Sequence, residues 1–296
     1  MPVGDPTNPL VLAAVSPDFN ADVVDANTLL AERLSQYSGL TVKSRIFTSY
    51  QPVLEEMAER RVHIAWLPPI TYLYASQIGL AQVAILVNHF GVYQYGSQFL
   101  ANTSTEAVPY FDPISGLNSA DAATALSQFI GMRPCWVEPG SISGYILPAG
   151  ILALNGIEIG EPAFTQSHSG VVRSLYVKGV CEFGATFSIS GDPRTASAVL
   201  TDLPDAIERI PIIWRTDAVI PNLNIVYSTG LPEDRVKALN AAFMQLAQQT
   251  DGLPLLSLAA GNYQIDAIKP GDDSLYDPLR AAVNALGLRI QDLVGK

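Results

Sequence analysis

Positive charge is what this sequence has least of. Among its 296 residues, 17 Lys and Arg stand against 28 Asp and Glu, a formal net charge of −11 with a pI near 4.6. No Lys/Arg face exists to neutralise phosphates, which excludes nucleic acid as a partner and an anionic membrane surface with it. No apolar run reaches the length of a membrane span. Histidines number three, His63, His89 and His168, and there is no HExxH, no CxxC and no Walker or dinucleotide glycine pattern. Metal-assisted hydrolysis, thiol redox work and nucleotide chemistry therefore lack their motifs, and no cofactor is expected. A nucleophile elbow is missing as well, because the middle residue of Gly140-Ser-Ile-Ser-Gly144 is Ile142 where that motif needs Ser. The N-terminal Met1-Pro-Val-Gly-Asp-Pro-Thr-Asn-Pro9 has neither a basic n-region nor an apolar h-region. It reads as a linker stub before the first strand, in a chain that is cytoplasmic or has had its export signal removed.

Apolar residues, at 48%, are plentiful and charged ones, at 15%, are not, so the chain buries a large core. Its length suits two domains. Leu10–Val15 reads as a buried strand, Asp25–Tyr37 as a helix closed by Gly39, and Thr41–Phe47 as an alternating strand. A helix over Tyr50–Arg60, a strand over Val62–Leu67, a helix over Ile70–Ile78 and strands over Gln82–Asn88 and Tyr93–Asn102 follow. After a helix over Ser119–Gly131, a second series begins. It comprises strand Cys135–Val137, helix Tyr145–Leu154, strand Ala163–Gln166, helix Gly170–Val177 and strand Cys181–Phe187. Ile210–Trp214 is one more strand. Pro232 and Pro278 then mark the first turns of two C-terminal helices.

Alternation at this spacing predicts an α/β fold of two doubly wound lobes joined by two crossing strands. The crossings are expected near Phe99–Asn102 and Asn224–Ser228, so that residues 1–100 and 226–296 form a discontinuous first lobe and 101–225 the second. A cleft between the lobes is the expected ligand site, beyond the carboxyl ends of the strands.

One stretch has the chemistry for such a site: Trp136-Val-Glu-Pro-Gly-Ser-Ile-Ser-Gly-Tyr145. It reads as a strand end, a tight turn and the first turn of a helix. There, backbone N–H groups lack intrahelical partners and the helix dipole is positive. Ser141 and Ser143 add hydroxyl donors, and the stretch contains no Lys or Arg. Neutral donors gripping a small oxyanion are what it predicts. Tyr50, Tyr95 and His168 stand at other strand ends on the expected cleft side.

These features resemble the phosphate/phosphite/phosphonate-binding proteins of ABC importers, which have the type II periplasmic binding protein architecture. The resemblance covers nearly the whole chain. It is carried by Tyr50, His63-Ile-Ala-Trp-Leu-Pro-Pro69, Tyr95-Gly-Ser97, Glu138-Pro-Gly-Ser-Ile-Ser-Gly-Tyr145, Ser167-His168, Ile213-Trp214 with Ile220-Pro221, Leu231-Pro-Glu-Asp234 and Tyr276-Asp-Pro278. It implies that Ser141, Ser143 and nearby amides hold the anion's oxygens, that Tyr50 and Tyr95 close over it from the first lobe, and that His168 contacts it or its substituent. Members of the family often carry a hydroxyl residue between the two serines, where this chain has Ile142. Where a member takes an aminoalkyl phosphonate, carboxylates hold the amine, and Asp217 falls near such a position. The resemblance further implies a membrane permease as partner, a periplasmic or lipid-anchored location, and a monomer as the default state.

Cys135 and Cys181 open strands expected to lie side by side in the second lobe, at the end away from the ligand. Two inert buried thiols are the ordinary reading. Their expected proximity and an exported location would allow a disulfide. Two other functions stand beside the receptor: a sensor of the same fold that signals to a kinase, and an α/β transferase or hydrolase acting in the cleft.

Overall fold

A computed structural model describes residues 2–294; Met1, Gly295 and Lys296 lie outside the described residues. The first strands are β1 (Leu10–Val15), β2 (Val42–Phe47), β3 (Ile64–Leu67), β4 (Ala81–Asn88) and β5 (Gln94–Ala101). They are followed by the short pair β6 (Phe111–Asp112) and β7 (Leu117–Asn118), then β8 (Pro134–Trp136), β9 (Ala163–Phe164) and β10 (Phe183–Ser188). The last are β11 (Ile212–Arg215), β12 (Ile220–Pro221), β13 (Asn224–Ser228) and β14 (Ala267–Pro270). The helices are α1 (Ala21–Ser38), α2 (Tyr50–Ala58), α3 (Pro69–Gln77), α4 (Ala122–Leu126), α5 (Leu147–Leu154) and α6 (His168–Val177). Five more follow: α7 (Ser197–Asp202), α8 (Ala206–Arg209), α9 (Glu233–Ala247), α10 (Gly252–Ala259) and α11 (Asp277–Ala285).

The chain divides into two compact units, Met1–Tyr93 with Pro221–Leu275 and Ile290–Lys296, and Gln94–Ile220 with Tyr276–Arg289. The sheet of the first has the order β14-β4-β13-β3-β1-β2. β1 runs parallel to β2 and β3, while β13 lies antiparallel between β3 and β4. Helix α1 shows why the local sequence folds as it does. Asn20 caps it by accepting from the Asp22 and Val23 amides, and Gly39 ends it at φ 71°, a left-handed position that glycine adopts without a Cβ penalty. Its apolar face buries Leu30 and Leu34 against Trp66, Tyr227, Phe243 and Leu246.

The second unit's sheet is β11-β5-β10-β8-β9, with β12 paired to β5. Strands β8, β9 and β10 are mutually parallel, and β5 runs antiparallel to β10. One face carries Phe99, Phe129, Trp136 and Phe183, with the Phe129 and Phe183 rings stacked at 4.1 Å. The other carries Leu100, Val171, Val172, Leu175 and Ile210.

Three expectations change here. The chain passes between units at Tyr93/Gln94 and Ile220/Pro221, while the boundaries expected at 100/101 and 225/226 fall inside β5 and β13. Those strands alternate like sheet strands because they are sheet strands: β5 lies between β10 and β11, and β13 between β3 and β4. Tyr95 accordingly belongs to the second unit, not the first. Residues 276–289 also join the second unit, because α11 packs on α5 so closely that a Cβ on Gly150 would stand 2.5 Å from Ala282 Cβ. The first unit's sheet is mixed, since β13 is inserted antiparallel between β3 and β4, and β14 pairs antiparallel with β4 at the edge. Cys135 and Cys181 form a disulfide with a Cα–Cα distance of 5.5 Å. Strand β10, which Cys181 precedes, is the parallel neighbour of β8, which holds Cys135.

Candidate anion site

In the second unit the parallel strands deliver their chain to helix starts at one end of the sheet. After β8 the chain turns through Pro139 and Gly140, and Ser141 caps a π-helical turn, Ile142–Ile146, that runs into α5. A plain α-helical first turn was the sequence expectation. The wider turn is closed by Ile146 N–H donating to Ser141 O at 3.0 Å, one residue beyond α-helical spacing. Ser141 Oγ accepts from Gly144 N–H at 3.1 Å, and Gly144 O accepts from Val137 N–H at 3.1 Å. Gly144 has no room for a side chain: an added Cβ would lie 2.3 Å from Val137 Cγ2 and 2.8 Å from Ser141 Oγ. As the opening residues of the turn, Ile142 and Ser143 present N–H groups that no intrahelical carbonyl can take.

After β9 the chain makes the same move. Ser167 caps α6 by accepting from Gly170 N–H at 2.9 Å, which makes His168 the first helical residue, two positions ahead of the expected start. His168 Nδ1 accepts from Phe187 N–H at 3.3 Å, and its ring meets the Phe187 ring edge-on at 4.8 Å. That bond assigns the ring proton to Nε2, leaving a neutral donor. Burial pushes the His168 pKa down to about 4, so the ring carries no charge at neutral pH.

Strand β5 brings in the third component. Its first residues lie beside the last residues of β10, with Ser97 opposite Phe187 and Gly96 opposite Ser188. The Tyr95 hydroxyl is hydrogen-bonded to Ser143; burial pushes its pKa up to about 12, and the Ser143 bond only partly offsets that. Ser97, two residues on and therefore on the same strand face, is fully buried, with an Oγ that has no hydrogen-bond partner among the described residues. Behind this strand Gln98 Nε2 bonds Thr186 Oγ1 and Asp192 Oδ1, and Asp192 grips the buried Arg194. The brace ties β5 to β10 and to the loop after it.

The structure thus brings Ser141, Ile142, Ser143, Tyr95 and His168 to the same end of one sheet, in one unit. None of these side chains carries formal charge at neutral pH. Asp217 stands on an exposed turn after β11, where its carbonyl accepts from Thr216 Oγ1 at 2.8 Å and lies against Gly96. Tyr50 is in the first unit as the first residue of α2, half-buried, with its pKa raised to about 12 by burial. Reasoning from the sequence alone missed Phe187 and gave Ser97 no role. For Ser97, the i, i+2 relation to Tyr95 was a usable signal; for Phe187 there was none, because its part is played by a backbone amide.

Residues 13–276 match the family described as ABC transporter, phosphonate, periplasmic substrate-binding protein. The chain belongs to that family. It is 24% identical over 247 residues to the phosphate-import protein PhnD of Mycolicibacterium smegmatis, an alignment spanning 78% of this chain and 71% of the relative. Among solved structures, XAC2383 from Xanthomonas citri, bound to chloride, superposes with a TM-score of 0.64 at 18% identity, covering 96% of this chain and 99% of that one. PhnD1 from Prochlorococcus marinus, in complex with methylphosphonate, gives a TM-score of 0.54 at 17% identity over 94% and 98% of the two chains. The binding protein therefore has the type II periplasmic fold, and its family is one of substrate-binding components of importers, not of enzymes. As the substrate-binding component of an ABC transporter, it has a small anion as ligand and a membrane permease as partner. No helix among the described residues is long and apolar enough to cross a membrane.

Proposed function

We propose that this binding protein captures a phosphonate, phosphite or phosphate-like oxyanion at the Ser141–Gly144 turn and delivers it to its permease. The observation that carries the reading is the meeting of neutral donors, Ser141, Ser143, Tyr95 and His168, beside two helix starts at one sheet end. Oriented dipoles there bind an anion without adding formal charge, and each hydrogen bond to a charged group contributes roughly 1.5–3 kcal/mol. The Tyr95–Ser143 bond supports this reading, since both hydroxyls can turn from each other to the ligand. Ile142 supplies only its backbone N–H, where a hydroxyl residue would supply two donors. Tyr50 would close over the anion from the first unit, and closure about the crossings at Tyr93/Gln94 and Ile220/Pro221 would trap it. Asp217 would meet an amine on the ligand's substituent. The receptor would act as an exported monomer, held at the membrane by its own anchor or free in the periplasm.

A thermal-shift panel of phosphate, phosphite, methylphosphonate, 2-aminoethylphosphonate, sulfate and arsenite tests the proposal. One of the phosphorus oxyanions should raise Tm in proportion to log concentration. Asp217→Asn should diminish a response to 2-aminoethylphosphonate only. A panel in which no oxyanion raises Tm refutes the reading.

A further inference from the structure

The first unit contains a cavity of about 650 Å³ that the anion site does not use. Its lining includes Arg60, His63, Ser228, Thr229, Gly230 and Leu231. Helix α2 runs from Tyr50 down to Ala58, and Met57 and Ala58 border the cavity, so it lies at the opposite end of that helix from Tyr50. His63 immediately precedes β3, and Ser228 closes the antiparallel β13 beside it. We infer that this cavity is a second binding site, for a small organic anion that sets its oxyanion group against Arg60 and His63 and its apolar body against Leu80, Leu231 and Pro232.

Charge is the first support. The chain has 28 acidic residues, yet among the described residues the lining contains no carboxylate, and Arg60 is its one charged side chain there. Other arginines of this unit are engaged: Arg45 and Arg61 bind Glu56, while Arg235 pairs with Asp234 and donates through Nε to the Val3 carbonyl at the cavity's edge. Arg60 is exposed and held at φ 58°, a left-handed conformation seldom adopted by a residue with a long side chain. The second support is the His63 ring. Its Nδ1 accepts from Val11 N–H at 3.1 Å, which leaves Nε2–H as the ring's donor, and burial holds its pKa below the usual histidine value. Size is the third: about 650 Å³ falls within the range of roughly 300–1,000 Å³ spanned by ligand pockets. Space is the fourth, since a Cβ added at Gly230 would meet nothing within 4 Å.

The test uses the Ser141→Ala/Ser143→Ala double variant, in which the proposed anion site is already silenced, so the two sites fail independently. Phenyl phosphate is titrated into ¹⁵N-labelled protein, with benzoate as a second probe. Saturable shift changes are expected at the Gly79, Thr229 and Gly230 amides. Adding Arg60→Gln should weaken them at least tenfold, and Gly230→Phe, which fills the open space, should remove them. Both added changes fall at open positions, and an unchanged Tm verifies the fold of each variant. Absence of saturable shifts at these amides, or equal affinity in Arg60→Gln, overturns the inference.

Discussion

Ile142 puts no hydroxyl between Ser141 and Ser143, and the consequence is measurable. A hydroxyl there would add a side-chain donor to a turn whose opening amides have no intrahelical partner. Ile142→Thr should therefore tighten oxyanion binding by roughly tenfold, the low end of a charge-assisted hydrogen bond, as read by titration calorimetry. A second residue-scale prediction concerns His168. Its folded pKa, about 4, lies below the ordinary histidine value of about 6.5 because burial disfavours the charged ring. The unfolded chain then binds more protons between those two values, so stability is fully present above about pH 6.5 and falls as pH drops towards 4. The slope has an upper bound of about 1.4 kcal/mol per pH unit. His168→Gln should flatten denaturant-derived stability across that window; an unchanged slope would mean the ring is already protonated in the fold.

The π-helical turn is the element that carries the proposed site, and its tolerance is narrow. Val137 stands 2.3 Å from where a Cβ on Gly144 would be, so Gly144→Ala forces the turn off Val137. Overpacking of this kind costs about 1–3 kcal/mol, and the variant should lose both that much stability and most of its oxyanion response. The disulfide is an element-scale feature too. It joins residues 46 positions apart, and a loop of that length corresponds to about 4 kcal/mol in the chain-entropy account. Reduction should lower Tm markedly while leaving ligand affinity at a fixed temperature within about twofold, because the bridge ties β8 to the start of β10 and the donors stand at the other end.

At the scale of the molecule, the α/β alternation was legible because buried strands and amphipathic helices carry different periods, and most strands and long helices were placed to within a few residues, whereas the short β6, β7 and β12 and the edge strand β14 were not anticipated. What periodicity cannot encode is which sheet a strand joins. Strand β5 has the same pattern whether it ends the first sheet or opens the second, and only its pairing with β10 decides, which moved Tyr95 from one unit to the other. Helix α11 was assigned to the wrong unit for a related reason: its partner, Gly150 on α5, is more than a hundred residues away and the contact depends on the absence of a side chain. The site fared better where chemistry is local. Ser141, Ser143 and His168 could be read from the turn and cap signals around them, whereas the Tyr95–Ser143 bond and the Phe187 amide on His168 arise only from strand register. The buried Asp192–Arg194–Gln98 brace was invisible for the same reason.

The central claim is that neutral donors of the Ser141–Gly144 turn hold the ligand's oxyanion. Isothermal titration of phosphite, phosphate and methylphosphonate into the wild-type protein and the Ser141→Ala/Ser143→Ala variant tests it most directly. The account predicts 1:1 binding of at least one of these anions to the wild-type protein. In the variant, two lost charge-assisted bonds should weaken that binding by two to four orders of magnitude, about 3–6 kcal/mol. Wild-type affinity retained in a folded double variant would contradict it.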